Sequence, residues 1–198
     1  MSVFVKICGL RDINSVATAV SAGADAVGFV FAESVRQVSP AEATAAAKSI
    51  PAGVQRVAVM RHPSNDEWQS VLAGFAPDVL QTDAEDFDKL DVPESVVRWP
   101  VIREGGAAAS SPLPQIYVYE GANSGMGETV DWSRAAEVAT NGQMILAGGL
   151  AVSNVATAIR IVRPYGVDVS SAVESAPGHK EDELIRQFIG AVRAAENN

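Results

Sequence analysis

The sequence is short of the residue types that mark several functional classes, and each shortage removes something. It holds one cysteine, Cys8, among 198 residues, so no disulfide can form within the chain. Its two histidines, His62 and His179, lie far apart with no metal-ligand spacing around either. That argues against a zinc centre, and no metal is expected. No apolar run approaches the roughly 20 residues needed to cross a bilayer. The opening Met1–Lys6 goes straight into a strand-like run and lacks the layout of a secretory signal. Basic residues are scarce: 15 Lys and Arg face 24 Asp and Glu, for a net charge of −9. This balance argues against nucleic acid as the main partner, because phosphate backbones are bound by clustered Lys and Arg. It leaves room for a small anionic ligand, since a few local donors hold a phosphate against the overall field. The expectation is a cytoplasmic protein with no membrane or nucleic-acid partner, monomeric rather than dimeric.

What is present is apolar and periodic. Hydrophobic residues make up 47% of a chain long enough for one core and short for two. Eight short apolar runs recur along it: Val3–Cys8, Asp25–Phe31, Val54–Met60, Asp78–Gln81, Val96–Ile102, Gln115–Glu120, Gln143–Ala147 and Val167–Ser170. Several are apolar almost throughout, as parallel strands covered on both faces are. Helical patterns separate most of them. Ser39-Pro40 reads as N-cap and first helical residue before Ala41–Ile50. Ser153 reads as the cap of Asn154–Val162, which stops before Pro164. In a last helix over about Lys180–Ala195, Leu184, Ile185, Phe188, Ile189 and Val192 share one stripe. The exception is Glu104–Pro114, a Gly-, Ala-, Ser- and Pro-rich loop or collapsed fifth helix. The pattern predicts an α/β chain: a small, single-domain (β/α)₈ TIM barrel over residues 1–198, its fifth helix shortened or missing. An open doubly wound sheet is the second reading.

In such barrels the reactive side chains cluster at the C-terminal ends of strands. Those positions here carry Cys8-Gly9, Phe31 with the loop to Arg36, Met60, Gln81, Arg103, Glu120, Gly148-Gly149 and Ser170-Ser171. Cys8 is a base candidate if nearby donors or cations lower its pKa. Glu120, followed by a Gly-, Asn- and Ser-rich loop, is an acid candidate. Arg36 suits a carboxylate, which it can grip with two parallel N–H donors. The turns at Gly148-Gly149 and Ser170-Ser171 sit where barrels place a substrate phosphate, and glycine lets the backbone approach its oxygens.

The same residues resemble the phosphoribosylanthranilate isomerase family over nearly the full length. The resemblance is carried by Val5-Lys6-Ile7-Cys8-Gly9-Leu10, by Gly23–Phe31 with Ser34–Pro40, by Leu146–Leu150, and by Val167–Ser175 with Pro177-Gly178-His179-Lys180. Two middle segments depart from it. The family's fourth strand usually ends in Gln-Leu-His-Gly, where this chain reads Leu80-Gln81-Thr82-Asp83. Its sixth strand usually ends in an acidic aspartate before a Gly-Gly-Ser-Gly loop and Phe-Asp-Trp. Here that aspartate falls on Glu120, the loop reads Ser124-Gly125-Met126-Gly127, and Val130 stands for the aromatic.

The resemblance implies an Amadori rearrangement of N-(5-phosphoribosyl)anthranilate in tryptophan biosynthesis, with no cofactor required. Glu120 would be the general acid and Cys8, as thiolate, the general base. The substrate-binding set would be Lys6, Arg36, Arg103, Gly148, Gly149, Asp168, Ser170 and Ser171. Asp83 or Glu128 is next in line as acid. Two rivals stand beside this reading: a histidine-pathway sugar-phosphate isomerase and a barrel that binds phosphosugars without catalysis.

Overall fold

The computed structural model describes residues 2–105, 114–121 and 129–196. Eight parallel strands close into one barrel in sequence order: β1 (Phe4–Cys8), β2 (Ala26–Val30), β3 (Gln55–Val59), β4 (Val79–Asp83), β5 (Val97–Arg103), β6 (Ile116–Glu120), β7 (Gln143–Leu146) and β8 (Gly166–Val169). Lys6 pairs with Asp168 across the closing β8–β1 seam, and Ala26 sits opposite Lys6 in β2. Each strand lies within three residues of its sequence-predicted run at either end.

Side chains alternate across the barrel wall, as a pleated strand requires. Inward positions of successive strands form an apolar plug of Ala26, Val57, Val79, Trp99, Val101, Val118, Ile145 and Ala147, with Phe4 packed against it. Phe4 meets the Trp99 ring edge-on at 5.8 Å, and Tyr165 stacks on Phe4 at 5.6 Å. Outward positions such as Val5, Ile7, Phe29, Leu80 and Leu146 join the larger core between sheet and helices. Continuing the inward parity upward brings Lys6, Cys8, Gln81, Asp83, Arg103, Glu120 and Asp168 to the same end of the barrel.

Helices α1 (Ile13–Ala22), α2 (Pro40–Ala46), α3 (Asn65–Phe75), α4 (Trp132–Ala139), α5 (Val155–Val162) and α6 (Asp182–Ala195) cover the outside. Ser39 caps α2 as predicted, in a capping box: Glu42 N–H donates to Ser39 Oγ at 3.3 Å, and Ser39 N–H donates to Glu42 Oε2 at 2.8 Å. Ser153 does not cap α5. Asn154 holds the cap position, and its side chain instead braces the preceding turn, accepting from Ala151 N–H at 2.8 Å and donating to Gly149 O at 2.9 Å. Lys180 does not open α6 either. It lies in a small hairpin of β9 (Glu174–Ala176) and β10 (His179–Lys180), turned at Gly178 with φ +80°. The β4–β5 interval, which sequence patterning did not separate from the helical ones, holds only a 3₁₀ turn over Ala84–Asp88. Leu90, Val92 and Val96 take over the covering role there, and Pro93 bars a longer helix. Residues 106–113, where a short or missing fifth helix is expected, lie outside the described residues. No helix among the described residues is long and apolar enough to cross a membrane.

Candidate active site

A cavity opens at the C-terminal mouth, lined by groups from most of the strands, among them Cys8, Arg36, Gln81, Arg103, Glu120 and Ser170. Cys8 ends β1 and is buried. Beneath it Lys6 is fully buried, outside the cavity lining, and donates to Asp168 Oδ1 at 2.9 Å. Room for this stack comes from Gly28 in β2, where a Cβ would lie 3.1 Å from Cys8 Sγ and 3.2 Å from Lys6 Nζ. Burial pushes the Cys8 thiol up, and Lys6 and Lys180 pull against it without cancelling it. Burial also pushes Asp168 up against the pull of Lys6. Lys6 is itself held above its ordinary value: burial opposes its charge, but Asp168 and Cys8 outweigh that.

Arg36 reaches the cavity over Gly9. That glycine has φ +75°, and a Cβ there would stand 2.6 Å from Arg36 Cδ, so both backbone and space demand glycine. The guanidinium grips Glu174 with two donors, Nε to Oε1 at 2.6 Å and Nη2 to Oε2 at 2.8 Å. Lys180 Nζ donates to Glu174 Oε1 at 2.8 Å and to Ser170 O at 2.9 Å. Ser170 Oγ in turn donates to Cys8 O at 3.1 Å. Burial raises Glu174, but its hydrogen bonds to Arg36 and Lys180 prevail and hold it at about 2. Burial lowers Lys180 despite Glu174.

Across the mouth, β4, β5 and β6 supply a second ionic group. Arg103 donates through Nη1 to Glu120 Oε1 at 2.5 Å and lies 2.7 Å through Nη2 from Asp83 Oδ1. Asp83 is 4% exposed, and its Oδ2 accepts no hydrogen bond. His62 Nε2 stands 3.4 Å from that atom. The His62 backbone, at φ +47°, places Nδ1 3.1 Å from Asp86 Oδ1, while its N–H donates to Asp86 Oδ2 at 3.1 Å. Thr82 Oγ1 also donates to Asp86 Oδ2. Ligand atoms of His62, Asp83 and Asp86 lie within 4.8 Å of one another. Asp86 Oδ2 takes two donors, His62 N–H and Thr82 Oγ1, and Asp83 Oδ1 is paired with a guanidinium whose charge repels a dication.

The third part is the pair of turns after β7 and β8. Gly148 and Gly149 have φ +88° and +59°, and with Ser170 and Ser171 they line the cavity. Ser124–Gly127 and Glu128 lie outside the described residues.

The family described as N-(5'phosphoribosyl)anthranilate (PRA) isomerase matches residues 5–191. An N-(5'-phosphoribosyl)anthranilate isomerase of Listeria monocytogenes serovar 1/2a is 38% identical over 206 residues, covering 97% of this chain and 99% of that protein. The chain belongs to the phosphoribosylanthranilate isomerase family. An isomerase of Streptococcus pneumoniae serotype 19F is also 38% identical, over 96% of this chain and 95% of its own. Among solved structures, the phosphoribosylanthranilate isomerase of Thermotoga maritima superposes with a TM-score of 0.84 at 28% identity, covering 97% and 99% of the two chains. An isomerase in complex with reduced 1-(o-carboxyphenylamino)-1-deoxyribulose 5-phosphate gives 0.82 at 28% identity, with the same coverage.

The protein is thus an aldose–ketose isomerase of tryptophan biosynthesis. Around its one mouth cavity this isomerase gathers a thiol, several carboxylates and guanidiniums, and two small-residue turns. Sequence reasoning passed over Glu174 and His62 as site components, and gave Lys180 and Gly28 no role beyond the motifs containing them. Period-2 parity does signal Gly28, which shares the inward face with Lys6 and Cys8. Nothing local signals Glu174, which meets Arg36 across 138 residues.

Proposed function

We propose that Cys8 and Glu120 are the general base and general acid of the rearrangement of N-(5-phosphoribosyl)anthranilate. Glu120 gives a proton to the ribose ring oxygen as the C1′–O bond opens, and the anilino nitrogen lone pair forms the Schiff base. The Cys8 thiolate takes the C2′ proton, the electron pair moves to neutralise the iminium, and the enolamine tautomerises to the aminoketose. Bonds and electrons balance within the substrate, so the residues on the page suffice. Acid and base each supply roughly 10²–10⁴-fold. The phosphate rests on backbone N–H groups at Gly148-Gly149 and Ser170-Ser171, where positive φ at both glycines favours close approach. Arg36 takes the anthranilate carboxylate through donors that Glu174 leaves over.

The observation that carries this reading is that Cys8, at the end of β1 beside Lys6, and Glu120, at the end of β6, face one cavity. The test is loss of anthranilate fluorescence with freshly generated phosphoribosylanthranilate. Activity that falls at least about a hundredfold in both Cys8→Ala and Glu120→Gln is expected. Activity that survives either substitution refutes the assignment of that residue.

We also take the enzyme to be cytoplasmic and monomeric. The exposed large apolar side chains among the described residues, Ile13, Val35, Val97, Ile161 and Tyr165, sit on five different elements or loops, which supports the monomer. A mass near 20.7 kDa in solution is the check, and twice that value would overturn it.

A further inference from the structure

Gln81 lines the cavity from β4 and has no part in the acid–base steps or in holding phosphate and carboxylate. It is 5% exposed, and its buried Oε1 accepts no hydrogen bond. Its side chain makes no other hydrogen bond among the described residues. The backbone, by contrast, is firmly placed. Gln81 O accepts from Met60 N–H at 2.9 Å, and the register sets the residue between Val59 of β3 and Trp99 of β5. Those two flanks belong to the apolar plug or pack on it. The amide is thus mounted on an apolar floor, and a buried amide whose donor and acceptor are both unmet is costly and calls for a partner. From this unmatched amide we propose that Gln81 binds the vicinal hydroxyls at C2′ and C3′ of the substrate ribose, its oxygen accepting from one and its NH₂ donating to the other.

The proposal rests on the cavity taking phosphoribosylanthranilate, and elimination then selects the diol. The phosphate has the turns after β7 and β8, the carboxylate has Arg36, the ring oxygen has Glu120 and the C2′ proton has Cys8. The polar groups left over are two hydroxyls and the anilino N–H. The anilino nitrogen can only donate once its lone pair enters the Schiff base, whereas each hydroxyl both donates and accepts. A side-chain amide presents its oxygen and NH₂ side by side in one plane, which suits two oxygens on adjacent carbons. Position agrees with chemistry. The ribose joins phosphate to anthranilate and so crosses the middle of the mouth, while β4 lies across the closed barrel from β8. Cys8 approaches the hydrogen of C2′ from β1, which leaves the hydroxyl of that tetrahedral carbon to another wall. Val59, Val101 and Ala147, which line the same cavity, have no polar side-chain atom to offer it.

A cycle that crosses one protein change with one ligand change tests this. The protein change is Gln81→Met, which keeps the length of the side chain and removes the amide. The ligands are reduced 1-(o-carboxyphenylamino)-1-deoxyribulose 5-phosphate and the same molecule with methylenes at C2 and C3, both titrated by anthranilate fluorescence. The wild type should bind the deoxy ligand at least about a hundredfold more weakly, because a site built to hydrogen-bond a hydroxyl rejects the analogue lacking it. Gln81→Met should shrink that ratio at least about tenfold. With substrate, it should raise KM more than it lowers kcat. Its melting temperature should hold or rise, since an unmatched buried amide is gone from the free enzyme. A role in packing alone would lower the melting temperature and leave the ligand ratio untouched. An unchanged ratio overturns the proposal, as does a wild type indifferent to the missing hydroxyls. If Gln81→Met does not fold, Gln81→Asn decides, because it keeps the amide and draws it back by one methylene. The ratio should shrink again, and an unchanged one again overturns the proposal. None of these titrations needs turnover, so a failed acid or base assignment leaves the inference standing. A wild type that binds neither ligand overturns it together with the placement of the substrate in this cavity.

Discussion

The two sides of the barrel mouth arrange their ion pairs differently. On the β8–β1–β2 side, Lys6, Arg36 and Lys180 face the carboxylates of Asp168 and Glu174, so positive charge is in surplus around Cys8. On the β4–β5–β6 side, Arg103 lies between the carboxylates of Asp83 and Glu120, each on its own nitrogen. A cationic surround favours a thiolate. Burial still dominates at the thiol, which sits above its ordinary value.

The sharpest way to break this comparison is to delete the group at its centre on each side. Cys8→Ala should lower kcat at least about a hundredfold while the melting temperature barely moves, because the side chain has few atoms to lose. Retention of more than about a tenth of kcat would sink the base role. Glu120→Gln should cost about as much. Glu120→Asp should bring no gain, since a carboxyl drawn back by about one bond length leaves Arg103 and is misplaced by about 1 Å. A faster Glu120→Asp would show that the longer acid is not matched to its surroundings.

Next in size is the pH profile of the thiol side. The base must be ionised and burial raises the thiol, so kcat/KM should climb by up to about tenfold per pH unit from neutrality through the usual thiol value of about 8.5. The charges facing Cys8 are Lys6, Asp168, Lys180 and Arg36. A plateau already reached at pH 7 would mean that the cationic surplus overcomes burial. Gly149→Val should then raise KM more than it lowers kcat, as a branched side chain at φ +59° obstructs the turn. An unchanged KM would move the phosphate elsewhere.

The smallest effect concerns stability alone. Glu174 is depressed to about 2, so its contribution is complete above the ordinary value of about 4.3 and is lost as pH falls through the folded value. Glu174→Gln should flatten the fall in melting temperature across that window. An unaltered curve would assign the acid sensitivity to other carboxylates.

The two sides also differ in how far the sequence displayed them. Lys6 and Cys8 are two apart in one strand, and Ser170 and Glu174 follow one another closely, so the thiol side arrives as short motifs. The acid side arrives as single residues on separate strands. Arg103 and Glu120 were legible from strand-end position, and Asp83 as a spare acid, but their union through one guanidinium was not. His62 looked isolated because its partners lie over 20 residues away and its backbone adopts a left-handed turn that periodicity does not encode. The barrel strands were legible because parallel strands covered on both faces are apolar throughout. The 3₁₀ turn after β4 was not, since Ala84–Asp88 has the composition of a helix start and only Pro93, further on, argues against length.

The alternation of side chains across the barrel wall also has a bearing on how this enzyme can change by insertion and deletion. In β4, Val79, Gln81 and Asp83 face inward while Leu80 packs outward. One residue added within that strand would swap the two sets, presenting leucine to the sugar and carboxylate to the helices. The loops above the strands carry no such frame. Lineages of this barrel are therefore free to lengthen or shorten their substrate-covering segments, while the strand interiors behave like a reading frame that tolerates substitution and rejects indels.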